Sequence, residues 1–380
     1  MEFDALWVVL IVLVALTLWL FLGKSKTKKR PQPPKKPSSV SQPSAKGAES
    51  AELPAFESAA VDRSEVAQRP LPAELEGFHL VMRDELTPEV SANIDAICTR
   101  MPEPHPVQRK LASGLDTPDA LMEAVASDAG LTASILRTVN SAAFSLASPI
   151  TSVQHAITYL GVSVVKGLVA QAAVAEQLDE GSPEQQAALG RIWKSACTAS
   201  AMAQMLGQEL GVERPSVLAT KALFFNLGDV ALVTSVEGLP AVYSDGVSIV
   251  DRVSAQQKAC SANTAIVGAG LARHWHLPDD IANAIESGFI PLVTPASEHP
   301  MSGAERQENV LLYLAGRIGD RVTYRGLADI AELPIADSEE PGLFYLEEQL
   351  KASGLGRVPA LLEEPAFRRK ANRVLATLNA

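Results

Sequence analysis

Aromatic residues make up only 5% of the 380 positions, and the chain has just three cysteines, Cys98, Cys197 and Cys260. No two cysteines stand close enough in sequence to form a CxxC pair, which excludes a thioredoxin-like redox motif and the usual zinc spacings. They read as small buried hydrophobes in a reduced compartment. No long stretch alternates apolar and polar residues with period two, so a sheet-built fold is not expected. There is no Walker loop, no dinucleotide glycine fingerprint and no nucleophile elbow. None of the six histidines is followed by Asp. His274 and His276 are two apart, so on a helix they face different ways and make a poor metal pair. Spacing singles out none of Asp128, Asp229, Asp251 and Glu286, which read as residues of solvated helix faces.

Acidic residues are also missing from one region. Between Lys24 and Lys46 there are eight basic side chains and no acidic one, and the remainder of the chain holds 25 basic and 44 acidic side chains. A net charge of −11 argues against non-specific nucleic-acid binding. No nucleic-acid partner is expected.

What the chain has in quantity is apolar residues, 47% of the total. Residues 5–22 form one apolar run, broken only by Thr17. Eighteen helical residues span about 27 Å, close to the hydrocarbon thickness of a bilayer. Trp7 and Trp19 stand near its ends, where amphipathic rings favour an interface. Glu2 and Asp4 precede the run and Lys24, Lys26, Lys28, Lys29 and Arg30 follow it. The expectation is therefore an uncleaved N-terminal transmembrane helix. It implies a single-pass protein of a bacterial-type inner membrane, with its C-terminal body cytoplasmic. Residues 23–75 are basic and proline-rich, with too few apolar side chains for a core, and read as a disordered linker.

Beyond the linker, helix signals follow one another. Ser182-Pro183-Glu184-Gln185 combines an N-cap serine, a proline at the first helical position and a glutamine three residues after the cap. Thr151-Ser152-Val153-Gln154 reads as a second capping box. Ile157, Leu160, Val164 and Leu168 recur at three- and four-residue steps, with Gly161 ending one helix and Ser163 capping the next. Ile192, Ala196, Ala199, Ala203, Leu206 and Leu210 form another stripe. Pro278 before Asp279 and Asp280 marks a further helix start. The body is expected to be all-α. The segment 300–380 adds shorter amphipathic helices, among them one carrying Val310, Leu311, Leu314 and Ile318.

One stretch is distinctive. A helix leads into Asn140-Ser141 and an aromatic, Phe144. A loop with Pro149, Thr151 and Ser152 follows, and then a helix closing on Leu160-Gly161. This resembles the signature of the HD-related output domain, HDOD, over roughly Ile94 to Phe289, and it implies an HDOD domain over residues 90–290. The second half resembles the HD superfamily core. Trp193-Lys194-Ser195 stands where such domains carry Trp-x-His. Leu223-Phe224-Phe225-Asn226-Leu227-Gly228 stands where the phosphohydrolases carry Leu-Leu-His-Asp-Ile-Gly. Gly268 through Trp275-His276-Leu277-Pro278 resembles the Gly-x-x-Leu-x-x-x-Trp-x-Leu-Pro stretch of such domains, and Gly288-Phe289 falls where the family often shows paired histidines.

At each ligand position the chain departs from the hydrolase pattern. Phe225 cannot ligate a metal, Asn226 is a poor substitute for a carboxylate, and Ser195 and Gly288 offer no imidazole. Hydrolysis of that kind needs imidazoles and carboxylates converging on a divalent ion that activates water. The resemblance thus implies a non-enzymatic, membrane-anchored signalling protein without a cofactor, acting on partner proteins whose identity is open. A groove near Asn140, Ser141, Phe144, Thr151 and Gly161 is the candidate contact site. Asn140 also has a structural reading, as a helix end or a hydrogen-bond anchor for the next loop. Phe144 reads as a core plug across that loop. Two rivals stand beside this reading: a metal-dependent phosphohydrolase with replaced ligands, and a sensor of a nucleotide second messenger.

Overall fold

The computed structural model describes residues 70–114, 117–126, 128–140, 149–175, 181–336 and 340–379. Among the described residues every regular element is helical. Six helices come first: α1 (Pro88–Arg100), α2 (Pro106–Ala112), α3 (Pro118–Ala126), α4 (Ala129–Val139), α5 (Val153–Leu160) and α6 (Val162–Ala175). The long α7 (Pro183–Glu209) follows. Next come α8 (Pro215–Phe224), α9 (Leu227–Ser235), α10 (Ile249–Cys260), α11 (Thr264–His274), α12 (Asp279–Glu286) and the single turn α13 (Ile290–Val293). The C-terminal part is α14 (Gly303–Arg325), α15 (Leu346–Ala352), α16 (Val358–Glu363) and α17 (Pro365–Asn379).

Local chemistry sets most of these boundaries. Ser182 Oγ accepts from the Gln185 amide at 3.2 Å, and Gln185 Oε1 accepts from the Ser182 amide at 2.9 Å, so the expected capping box opens α7. At α5 the cap is Ser152 rather than Thr151: its hydroxyl accepts from the His155 amide at 3.1 Å. Gly161 ends α5 at a φ of 87°, a conformation that a side chain would strain. Asp279 and Asp280 occupy the first turn of α12, where the helix dipole favours acids.

Helix α7 is the spine. Its 27 residues span about 40 Å and are buried on several sides. Ala188, Ile192, Trp193 and Ala196 join a core built by α1 to α6 with α9, α11 and α12. Met202, Ala203, Met205 and Leu206 join a second core built by α8, α14 and the C-terminal helices. Small residues let backbones meet where these helices touch. A methyl group at Gly319 of α14 would lie 2.3 Å from the Ser195 carbonyl oxygen of α7. One at Gly228 of α9 would lie 1.9 Å from the Thr264 carbonyl oxygen of α11. Cys98, Cys197 and Cys260 are all buried free thiols. Burial pushes the Cys98 thiol up to about 11 and that of Cys197 up to about 12. They behave as the apolar fillers expected of them.

The expected N-terminal anchor is withdrawn from the fold, from the family assignment and from the location. Among the described residues one stretch, Pro215–Ser235, is long and apolar enough to cross a membrane. It lies mid-chain, is broken by the turn at Phe225 and Asn226, and 83% of its apolar window is buried. Its apolarity is that of a core helix pair, and the single-pass, inner-membrane topology with a cytoplasmic body finds no support in it. The run 5–22 and linker residues 23–69 lie outside the described residues. Residues 70–75, expected to be the end of a disordered linker, are described, and Leu75 is buried in the second core.

Substituting Gly228→Ala places a methyl group on the backbone of α11, which cannot rotate away. The expected loss is about 3 kcal/mol of stability, read by urea denaturation of the full chain. A variant as stable as the parent would refute the close approach of α9 and α11.

Candidate functional site

The positions at which the resemblance places metal ligands do gather in one region, and side chains that the sequence reading overlooked fill it. Ser195, on the inner face of α7, donates a hydrogen bond from its hydroxyl to Asp320 Oδ1 at 3.2 Å. Phe225, in the turn after α8, puts its ring beneath Gly288. A methyl group at Gly288 would meet that ring at 2.3 Å, so no larger residue fits while Phe225 is there. Phe225 and Phe289 meet edge to face, with centroids 5.8 Å apart. Asn226 is half-buried at the start of α9, and its side chain does not cap that helix.

Asp320 of α14 is the hub. Arg317, one turn earlier on α14, donates to Asp320 Oδ2 at 2.7 Å. Arg252 of α10 donates to the same oxygen. Arg252 is 4% exposed and the Asp320 side chain 14%. Aromatic faces take up the rest of the positive charge. The Arg252 guanidinium lies 4.2 Å from the Tyr324 ring centroid, and that of Arg317 lies 5.1 Å from Tyr313 and 5.6 Å from Phe289.

A second buried carboxyl adjoins this knot. Asp229 accepts from the Tyr243 hydroxyl at 2.6 Å and from Gln256 Nε2 at 2.9 Å. The expectation of a solvated helix face for Asp229 is therefore wrong. Burial pushes its carboxyl up, against the Tyr243 hydrogen bond and the charge of Arg252. Burial likewise drives the Tyr243 hydroxyl well up, reinforced by the neighbouring Asp229 charge. Gln256 Oε1 also accepts from the Thr264 amide at 2.9 Å, tying α10 to the start of α11. The other weighed acids are structural. Asp128 caps α4 through the Leu131 amide at 3.0 Å, Asp251 lies 2.7 Å from the Ser248 hydroxyl in the first turn of α10, and Glu286 pairs with Arg273 at 2.5 Å.

This chemistry does not fit a divalent cation. The carboxylate best placed to bind one is already held by two guanidiniums, and their charge repels a second cation at such range. The ring of Phe225 fills the space beside Gly288 and Gly316. Among the described residues no group of three or more His, Cys, Asp or Glu side chains could hold a metal ion.

The second predicted site lies around Asn140. Its amide is fully engaged by the backbone. Nδ2 donates to the Leu136 oxygen at 2.8 Å and to the Ile150 oxygen at 2.7 Å, and Oδ1 accepts from the Ile150 amide at 2.7 Å. Asn140 thus anchors the next loop to the end of α4, the structural alternative named from sequence. Thr151, the next residue after the clamp, is exposed, as is Gly161 at the far end of α5. Between them Tyr159 is 60% exposed, which the sequence reading did not single out. Ser141 and Phe144 lie outside the described residues.

Residues 101–288 match the HDOD domain family. This chain carries an HDOD domain. Ser195, Phe225, Asn226 and Gly288 fall within the match, and Arg317 and Asp320 lie beyond its end. No curated protein matches the chain. Among solved structures, an HDOD domain protein of unknown function from Geobacter sulfurreducens is similar at 16% identity and a TM-score of 0.48, over 76% of this chain and 99% of that one. A Shewanella amazonensis protein provisionally named a phosphohydrolase is similar at 21% identity and 0.43, over 81% and 99%. The MmoQ response regulator of Methylococcus capsulatus is similar at 18% identity and 0.33, over 67% and 94%. These weak likenesses carry no functional conclusion.

Substitutions at Asp320 and Asn140 test the two networks. Asp320→Asn leaves two buried guanidiniums without their counter-charge, and about 3–5 kcal/mol of stability should be lost in urea denaturation at neutral pH. A loss under about 1 kcal/mol would remove Asp320 from the centre of the network. Asn140→Asp keeps the shape but turns a carboxylate toward two carbonyl oxygens. It should cost as much as Asn140→Ala, about 1–3 kcal/mol. An Asp variant as stable as the parent would show that the clamp is not what holds the loop.

Proposed function

We propose that the chain is a non-catalytic signalling or regulatory protein whose HDOD domain acts by contact with a partner protein. The contact surface is the rim between Thr151 and Gly161, and the observation that carries the reading is Tyr159. A tyrosine 60% exposed on a short helix has no packing role to explain it. Tyrosine offers a large amphipathic face at little entropic cost and is common among residues that dominate protein interfaces. The Asn140 clamp supports the same reading, because it fixes the chain leading into α5 before any partner arrives and so lowers the cost of ordering on binding.

The phosphohydrolase alternative is disfavoured by what fills the centre. A water-activating ion would have to displace the Phe225 ring and strip Asp320 from two arginines.

The test places a photo-crosslinking residue at position 159 of the full chain in living cells, with the same residue at exposed Lys258 as control. The expected result is a discrete protein adduct from position 159 that the control does not give. Tyr159→Ala should weaken binding of the recovered partner by about 2 kcal/mol without lowering the melting temperature. Equal adducts from both positions would overturn the surface. Stoichiometric bound metal together with phosphoester cleavage by the purified chain would overturn the non-catalytic reading.

A further inference from the structure

Helix α14 carries Arg317, Arg321 and Arg325 at successive four-residue steps, which stacks them along one face. Arg252 reaches the same place from α10. With Asp320 and Glu340 these four arginines line a cavity of about 30 Å³. Four guanidiniums thus face two carboxylates across a space lined by Tyr324 and Leu343.

The charge is not merely a surface run. Arg317 is 5% exposed, and its Nε is buried without a hydrogen-bond partner. An orphaned N–H on a buried charged group is costly, and such groups in folded proteins usually have a partner to explain them. Asp320 is saturated by Arg252, Arg317 and Ser195 and cannot serve it further. The remaining anion is Glu340, which pairs with Arg321 at 2.8 Å and is partly exposed. Its place is set by the short segment that follows. The Tyr313 hydroxyl donates to the Gly342 oxygen at 2.5 Å, and the Leu343 amide donates to the Glu340 oxygen at 2.9 Å. Gly342 brings that segment onto the stem of Arg317: a methyl group there would sit 3.7 Å from Arg317 Cδ and 3.1 Å from Ile249.

We infer that this arginine-lined cavity is a binding site for a phosphoryl oxyanion, and that the Glu340 carboxylate occupies the ligand's place in the unliganded protein. The cavity measures only about 30 Å³ with the Glu340 side chain in its lining, so a phosphoryl group enters as Glu340 leaves. Once Glu340 has gone, four arginines remain against Asp320 alone. That excess suits a dianion better than a second carboxylate. Tetrahedral phosphoryl oxygens can accept from Arg321 and from the free Nε of Arg317, whose forks approach from different turns of α14. The site lies away from the α5 rim, and the inference does not depend on the proposed partner contact.

The test titrates the full chain with inorganic phosphate and pyrophosphate, read by equilibrium dialysis with labelled phosphate and by thermal shift. Sodium chloride at matched ionic strength is the control. The expected result is saturable binding of one phosphate per chain, tightened at least about tenfold by Glu340→Gln, which removes the competing charge. Arg321→Gln should lose the binding while melting as the parent does in phosphate-free buffer. If that variant fails to fold, Arg325→Gln at the exposed end of the ladder should weaken binding several-fold. Adding 5′-nucleoside monophosphates tells free phosphate from an esterified ligand: tighter binding of the ester assigns the site to a phosphoester, and equal or weaker binding to phosphate itself. Binding unchanged by Glu340→Gln, no saturable binding in either protein, or a response that chloride reproduces would each overturn the assignment.

Discussion

Asp320 gives one carboxylate to two buried guanidiniums and a buried serine, and three helices are joined through it. Arg252 belongs to α10, Arg317 to α14 and Ser195 to α7. Each charge taken out of water alone would cost several kcal/mol, and the pairings offset that cost only while all partners hold their places. The close crossing of α7 and α14 at Gly319 keeps Ser195 and Asp320 within reach of each other. The rings of Tyr324, Tyr313 and Phe289 then receive the faces of the guanidiniums. The same knot keeps the Asp320 carboxylate occupied. A metal-dependent hydrolase instead holds an exchangeable cation to activate water. Here the positive charge is covalently part of the chain and cannot leave.

Much of the fold was legible in the residues, because short-range rules govern it. The Ser182 capping box, the stop at Gly161, the acids at the start of α12 and the apolar stripes depend on neighbours within about four positions. The loss of ligand positions at Ser195, Phe225, Asn226 and Gly288 was legible for another reason: side-chain chemistry alone rules them out. The arginine–aspartate knot was not legible, since it joins residues 125 positions apart at Ser195 and Asp320 and 68 apart at Arg252 and Asp320. A local hint existed. Arg317 stands inside the otherwise apolar run of Val310, Leu311, Leu314 and Ile318, with Asp320 three positions on, and a charged pair there marks a face that must be matched across the core. Asp229 failed similarly: periodicity placed it on a helix, and only the packing of α10 shows that its face is inward.

Apolar length and composition do not by themselves mark a membrane span. The stretch Pro215–Ser235 has the length and composition of a membrane span, yet its residues fill a protein interior. A core helix pair and a bilayer span solve the same problem, the removal of apolar surface from water, and composition alone does not distinguish them.

The Asn140 amide has a complete structural account. Its three hydrogen bonds to the backbone at Leu136 and Ile150 leave it no polar atom for a ligand. It is therefore not a recognition residue in its own right. What it does is fix the chain just before Thr151, and with it the start of α5, whose solvent side presents Tyr159. In the contact proposed above, a rim held this way would spend little conformational entropy on meeting a partner. The Asp320 knot and the Asn140 clamp thus work by the same means: polar side chains paired within the chain fix the segments that carry them.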